Sequence, residues 1–467
     1  MIAIKMKTYR ISNFHLQGKK WILVVAMCML LLKGQSQQAQ ITNQTSREQW
    51  FQDMGFGMFI HWGVDVSLGS VISHSLAGSS PEYATKYFKE LPAQFNPKKF
   101  EPEEWANLAK LAGMKYMVFT TKHHSGFCMW PTKTTEFSIA QTPFGKDITK
   151  AIVDAFRKQG IAIGFYFSPE DFHYLYEQKI PIGRTQHPMH YPANNKGLMD
   201  LDKAQLKELL TNYGKIDLLF LDGPAEGLKE YAWLLQPEIV VTRGQMKTPE
   251  QNLPEKPIPG PWEACFTMGT DWQYKPTNDP QKTGTEMINM LIETRAKGGN
   301  LLLNVGPKPN GEIQIEQEAL LRELALWNFV NEESVHAVRP FAITKEGPIW
   351  YTRSAKDSNT VFAFVPGGTQ WPYGDRKELV LRQIKPTTNT KVSILGYDSQ
   401  LLEYKEGFDA GLRFQETNAG FLISAVNGHR LYTNNKWPNP VVIKMSAVQF
   451  KSLTDTKINK SKIDGAQ

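Results

Sequence analysis

The chain has 467 residues, 41% of them hydrophobic and 21% charged, which is enough to bury a full core and suggests two domains; it excludes a disordered chain. The formal charge of +7 invites a nucleic-acid reading, but Lys5, Lys7, Arg10, Lys19, Lys20 and Lys33 fall in the first 38 residues, which hold no acid, so the body carries only about +1. Nucleic acid is therefore not an expected partner, and three cysteines are too few for a fold that rests on disulfides.

The basic leader has the form of an export signal. Its apolar run from Trp21 to Leu32 is too short to span a bilayer comfortably, and small residues allow cleavage after Ser36 or Ala39. We expect residues 1–36 to be a signal peptide and the mature protein to be periplasmic or secreted, free of the membrane. A lipid anchor on Cys28 is the weaker reading, because Met27 precedes it and the apolar run continues beyond. Cys128 and Cys265 remain, and no Cys or His spacing resembles a zinc site.

Thr45 to Asp53 is predicted as a helix and Phe56 to Ile60 as a strand running into His61-Trp62-Gly63. Residues 64–81, rich in Ser and Gly, form a loop long enough to fold over a site. Phe100 to Leu111 has helical spacing, and the strand Tyr116 to Thr120 leads to Lys122-His123-His124. The alternation continues with a helix over Ile148 to Gln159, a strand over Ala162 to Tyr166, a helix over Asp202 to Tyr213 and a strand over Asp217 to Leu221. Strands over Glu238 to Thr242 and Trp262 to Thr267 flank a Pro-rich stretch, 249–261, that reads as irregular. A helix over Thr285 to Lys297 and a strand over Asn300 to Asn304 complete the series. Seven strands alternating with helices argue for a parallel sheet of (β/α)8-type barrel class, over about 37–340. A doubly wound sheet would want a Gly-rich loop after its first strand, and none follows Ile60. From about residue 341 to 467, short alternating runs such as Thr360 to Phe364 and Val441 to Lys444 suggest an antiparallel β-sandwich.

Several strand ends carry reactive side chains. Leu218-Leu219-Phe220-Leu221 reads as a strand buried on both faces and delivers Asp222 at its end, where barrel enzymes place their chemistry. A capping Asp before a turn would look the same when taken alone. His61, His123, His124 and Tyr166 also sit at strand ends, and with aromatics such as Trp62, Phe127, Trp130, Phe220 and Trp272 they suit sugar binding. Metal binding by the paired histidines is the rival, and it is disfavoured because adjacent side chains on an extended segment point to opposite sides. Glycoside hydrolysis needs a second carboxyl group. Glu263 is the first choice, since Trp262 and Cys265 offer an apolar setting that raises a carboxyl pKa. Glu82, Asp65, Glu170, Asp171, Glu226 and Asp271 are further acids in loops.

Six motifs in one order, Phe59-Ile60-His61-Trp62-Gly63, Lys122-His123-His124-Ser125-Gly126-Phe127-Cys128, Gly164-Phe165-Tyr166-Phe167-Ser168, Phe220-Leu221-Asp222-Gly223, Trp262-Glu263-Ala264-Cys265 and Gly298-Gly299-Asn300 through Pro307, resemble the α-L-fucosidases of glycoside hydrolase family 29. The resemblance implies an exo-acting, retaining α-L-fucosidase whose substrate is a fucosylated glycan, with no metal or organic cofactor. It implies Asp222 as nucleophile and Glu263 as acid/base, with His61, Glu82, His123, His124, Tyr166 and Arg243 as sugar contacts. Three positions depart from the family pattern: Ser125 for Asp, Phe220 for Trp and Tyr83 for Trp. They motivate two alternatives, a carbohydrate-binding protein without catalysis and a hydrolase of a related sugar such as α-L-galactose.

Overall fold

The computed structural model describes residues 42–183, 187–276, 279–429 and 438–452, so the expected signal peptide lies outside the described residues. Seven strands, β1 (Phe56–Ile60), β2 (Tyr116–Lys122), β3 (Ala162–Phe167), β4 (Leu218–Leu221), β5 (Val240–Val241), β6 (Glu263–Thr267) and β7 (Asn300–Val305), form one sheet in the order β5-β4-β3-β2-β1-β7-β6. Every pairing in it is parallel. The helices are α1 (Thr45–Met54), α2 (Pro81–Gln94), α3 (Pro102–Leu111), α4 (Ile148–Lys158), α5 (Phe172–Glu177), α6 (Lys196–Asn212), α7 (Leu228–Leu235), α8 (Gly284–Ala296) and α9 (Ile315–Val335). This is the curled parallel sheet of a (β/α)8-type barrel.

Local chemistry sets most of the boundaries. Asp147 accepts from the Lys150 amide at 2.8 Å to start α4, whose Ile148, Ile152, Val153, Ala155 and Phe156 face the barrel at helical spacing; such a cap contributes about 1 kcal/mol. Asn195 caps α6 in the same way, so that helix begins at Lys196, well before the expected Asp202. The expected strand over 238–242 shrinks to two residues, and α2, α5, α7 and α9 join the predicted helices.

Residues 247–250, part of which reads from sequence as irregular, run parallel to β6 along the free edge of the sheet. The Glu263 and Cys265 amides donate to the Lys247 and Pro249 carbonyls at 3.1 Å each, and the Gln251 amide donates to the Cys265 carbonyl at 3.0 Å. Pro249 is tolerated because this pairing uses only its carbonyl.

Side-chain alternation then sorts the barrel into an inside and an outside. Phe59, Tyr116, Val118, Tyr166, Leu218, Phe220, Val240, Cys265 and Leu302 pack together inside, closed below by Phe51 of α1. Gly57 has no side chain because a Cβ there would lie 2.5 Å from the Tyr116 ring. Trp62 points outward, against Phe95, Phe100 and Trp105.

Beyond α9 the strands become antiparallel. β8 (Val338–Glu346), β9 (Ile349–Ser354), β10 (Val361–Val365), β11 (Arg376–Leu381), β12 (Ile384–Ile394), β13 (Arg413–Thr417), β14 (Gly420–Val426) and β15 (Val441–Phe450) form a five-stranded sheet, β12-β15-β10-β9-β8, and a three-stranded sheet, β11-β14-β13. They make the expected β-sandwich. Trp327 of α9 donates its indole N–H to the Pro440 carbonyl at 2.9 Å, tying helix to sandwich.

Candidate active site

Because Leu218 and Phe220 point into the barrel, so does Asp222, one residue past the end of β4. It opens into a cavity of about 230 Å³ that His61, His123, His124, Tyr166, Phe220, Arg243 and Trp272 also line. The Tyr166 hydroxyl donates to Oδ2 at 2.7 Å, and Arg243 Nη1 donates to Oδ1 at 2.7 Å. His124 Nε2 stands 3.6 Å from Oδ2. Burial pushes the Asp222 carboxyl up, but His124, Arg243 and the two hydrogen bonds outweigh it and hold the group down at about 2. It is therefore an ionised, oriented carboxylate.

The histidines are held from behind. Ser168 donates its hydroxyl proton to the Glu170 carbonyl at 2.9 Å, so at 2.6 Å from His124 Nδ1 it can only accept, and Nδ1 carries a proton. His123 Nδ1 meets Ser73 Oγ at 3.0 Å, and the same hydroxyl accepts from the Ser125 amide at 2.9 Å. Ser73 has φ +62°, a costly value for a residue other than glycine, and its amide is pinned at 2.7 Å by the buried carboxylate of Asp65. That anchor sets Ile72 and His74 into the cavity wall. Beneath the pair, Lys122 Nζ lies 2.8 Å from Asp202 and 3.4 Å from Asp171, all three fully buried.

The expectation that the two imidazoles diverge is wrong. β2 ends at Lys122, and the turn closed by the Gly126 amide on the His123 carbonyl brings both rings into the cavity with centroids 4.4 Å apart. Ligating atoms of His123, His124 and Asp222 lie within 4.8 Å of one another, so these three residues could gather a cation. Arg243 already supplies the countercharge to that carboxylate.

Three further expectations are corrected. Glu263 opens β6, opposite Asn300 at the start of β7, and is fully buried with the Tyr116 hydroxyl at 2.6 Å from Oε2. At about 3.3 Å per residue, Glu263 lies about 7 Å along the strand before Cys265, the residue of β6 that reaches the cavity, so it stands one layer below the pocket and does not line it beside Asp222 as a retaining pair requires. Trp62 is buried outside the barrel because it follows an inward-facing His61. Glu82 is exposed in the first turn of α2, and Tyr83 beside it is 38% exposed; neither lines the cavity. Phe127 and Trp130 are buried away from it, and Asp271 bonds the Trp272 amide at 2.7 Å.

Sequence reasoning missed Glu250. It lines the cavity on the segment beside β6, and Arg243 Nη2 donates to its Oε2 at 3.0 Å. One guanidinium thus spans two carboxylates, one before it and one after it in the chain. Cys265 lines the same wall and Cys128 lies elsewhere, both as free thiols.

Rings pack around one carboxylate from several sides. Phe59 lies 5.1 Å from Phe220 and 5.9 Å from Trp272, and His61 lies 4.9 Å from Trp272. A cavity of 230 Å³, below the range for drug-sized ligands, with apolar faces and polar edges suits a single sugar ring. Fold and site together define a carbohydrate-active barrel enzyme. Residues 26–333 match the model of a family described as alpha-L-fucosidase, and residues 343–418 that of the alpha-L-fucosidase C-terminal domain. The chain is 31% identical over 400 residues to the tissue alpha-L-fucosidase of Bos taurus, covering 75% of this chain and 81% of that one. Alpha-L-fucosidase isoenzyme 1 from Paenibacillus thiaminolyticus superposes with a TM-score of 0.68 at 29% identity, over 87% of this chain and 99% of its own. The Thermotoga maritima alpha-fucosidase, in a complex with fucose, superposes with a TM-score of 0.67 at 25% identity, over 87% and 97%. The chain belongs to the α-L-fucosidase family and is a glycoside hydrolase of that type.

Proposed function

We propose that this enzyme removes single terminal α-L-fucose residues from glycans with retention of configuration, using Asp222 as nucleophile and Glu250 as acid/base. The observation that carries the reading is the shared guanidinium of Arg243, 2.7 Å from Asp222 and 3.0 Å from Glu250, at the rim of a one-sugar cavity. In the first step an Asp222 oxygen bonds to the anomeric carbon as the glycosidic bond breaks, and Glu250 gives its proton to the departing oxygen. In the second, Glu250 takes a proton from water, the resulting oxygen bonds to the same carbon, and Asp222 leaves as carboxylate. Two inversions return the starting configuration.

Exo action is supported by a cavity of about 230 Å³, a size that suits a single sugar ring. Fucose is favoured over a C6-hydroxylated relative by the apolar faces of Phe59, Phe220 and Trp272, which offer a methyl group contact and a hydroxyl no partner. No helix among the described residues is long and apolar enough to cross a membrane. The leader over residues 1–36 supports export, which N-terminal sequencing of the mature protein tests.

The test of the main reading is a time course on an aryl α-L-fucoside followed by NMR. The first-formed product is α-L-fucose; β-L-fucose as the first product rules out retention.

A further inference from the structure

The motif Gly298-Gly299-Asn300-Leu301-Leu302-Leu303-Asn304 contains a residue that the chemistry above leaves unused. Asn304, near the end of β7, is buried, pairs in register with Phe59 and Thr267, and places its amide between two groups. Its Nδ2 donates to the Trp272 carbonyl at 2.6 Å, and its Oδ1 lies 2.7 Å from His61 Nδ1. A carbonyl oxygen can only accept, so the amide orientation is fixed: nitrogen toward Trp272, oxygen toward His61. An amide oxygen also can only accept, so the proton at this contact belongs to His61 Nδ1.

We propose that Asn304 is a positioning residue that locks His61 as the Nδ1–H tautomer and leaves Nε2 as a neutral acceptor for a sugar hydroxyl. This rests on the reading of the cavity as a sugar site, since the hydroxyl is the donor that Nε2 then requires. The surroundings of His61 are those a neutral ring needs. Asp222 favours its protonation, Arg243 and His124 oppose it, and the rings of His123, Tyr166 and Trp272 crowd it at 5.8, 5.6 and 4.9 Å. Burial dominates and lowers the imidazole to about 3, so no second proton arrives in the working range. Asn304 also couples two walls of the pocket. The same amide that orients His61, just past β1, holds the backbone of Trp272, whose ring lies tilted against that histidine, so one side chain fixes both the polar and the apolar contact on this side of the sugar.

The tautomer is read directly in the wild-type enzyme by long-range ¹H–¹⁵N correlation of ¹⁵N-histidine-labelled protein, with His61→Gln supplying the assignment. The expected result is a protonated Nδ1 and an unprotonated Nε2 for His61, unchanged between about pH 5 and 9. A protonated Nε2, or titration within that range, overturns the proposal. In Asn304→Ala the ring loses its orienting partner. KM for an aryl α-L-fucoside and Ki for L-fucose are expected to rise together by about five- to tenfold, with kcat changed far less. Unchanged KM and Ki also overturn it. A wild-type enzyme that leaves the fucoside intact defeats the functional reading instead, while the spectrum still reports the tautomer.

Discussion

Replacing Glu250 with Ala separates protonation of the leaving group from every other step. The side chain is 43% exposed and held to Arg243 at 3.0 Å, so its removal leaves the barrel core and the Arg243 contact to Asp222 in place. General-acid assistance contributes roughly 10²–10⁴-fold where the leaving group is a poor one. For a fucosylated oligosaccharide, whose leaving oxygen departs as a sugar alkoxide unless protonated, kcat/KM is expected to fall by about 10³, or about 4 kcal/mol of transition-state stabilisation. An activated aryl fucoside needs little protonation, and its kcat/KM falls by less than about tenfold. Its kcat falls further, because hydrolysis of the fucosyl-enzyme now lacks a base; azide needs no base, so added azide restores turnover and yields α-L-fucosyl azide. Glu263→Gln assayed beside it provides the contrast. That side chain is fully buried at the strand start, and both substrates are expected to react within about threefold of wild type. Equal losses on the two substrates in Glu250→Ala, or a selective loss on the oligosaccharide in Glu263→Gln, refute the assignment.

Asp222→Gly is expected to abolish turnover of every fucoside, with azide restoring part of the activity on an activated substrate and giving β-L-fucosyl azide; an α product contradicts the nucleophile assignment. Arg243→Ala removes one of the cations that hold the Asp222 carboxyl at about 2 against burial, so the group takes up its proton at higher pH and the acid limb of kcat/KM moves upward. A limb at the wild-type position counts against that role. Burial raises Glu263 from 4.5 to about 7, so the folded protein binds this proton more tightly than the unfolded chain does. Its contribution to stability is complete below pH 4.5 and is lost as pH rises through about 7, a swing of about 3 kcal/mol. Glu263→Gln removes that swing, which urea unfolding at two pH values measures; an undiminished difference between them refutes it.

The barrel was legible because its strands are buried on both faces and therefore read as unbroken apolar runs, and Asp222 because it continues the inward side of Leu218 and Phe220. Glu250 was not legible. It lies between Pro249 and Gln251 on a piece that adds to the edge of the sheet through backbone contacts with β6, and neither alternation nor helical spacing marks such a piece. Glu82 drew attention through Pro81-Glu82-Tyr83, yet that segment starts α2, where Ser80 accepts from the Tyr83 amide at 3.2 Å and the acid faces solvent. From the same loop region the cavity is lined instead by Ile72 and His74, placed by a left-handed Ser73 and by Asp65, buried eight residues before it. A contact between a loop carboxylate and a backbone amide has no periodic signature.

Glu263 shows how sound reasoning about environment fails to settle location. Trp262 and Cys265 suggested an apolar setting and a raised pKa, and burial does raise it. Asp222 has the same functional group in the same barrel, yet it is held ionised. The difference is what each pole supplies. At the strand starts burial outweighs everything Glu263 meets, the Tyr116 and Thr242 hydroxyls and the charge of an Arg243 that it does not contact, so desolvation wins and the proton is held more tightly. At the strand ends Asp222 meets a guanidinium, a tyrosine hydroxyl and an imidazole, whose combined field exceeds the same cost of burial. A parallel barrel points all its strand ends one way, so residues that terminate strands collect at one rim whatever their separation along the chain. Position relative to strand polarity therefore decides between a buried acid that braces the barrel and one that can react, and a raised pKa identifies the second only after that position is known.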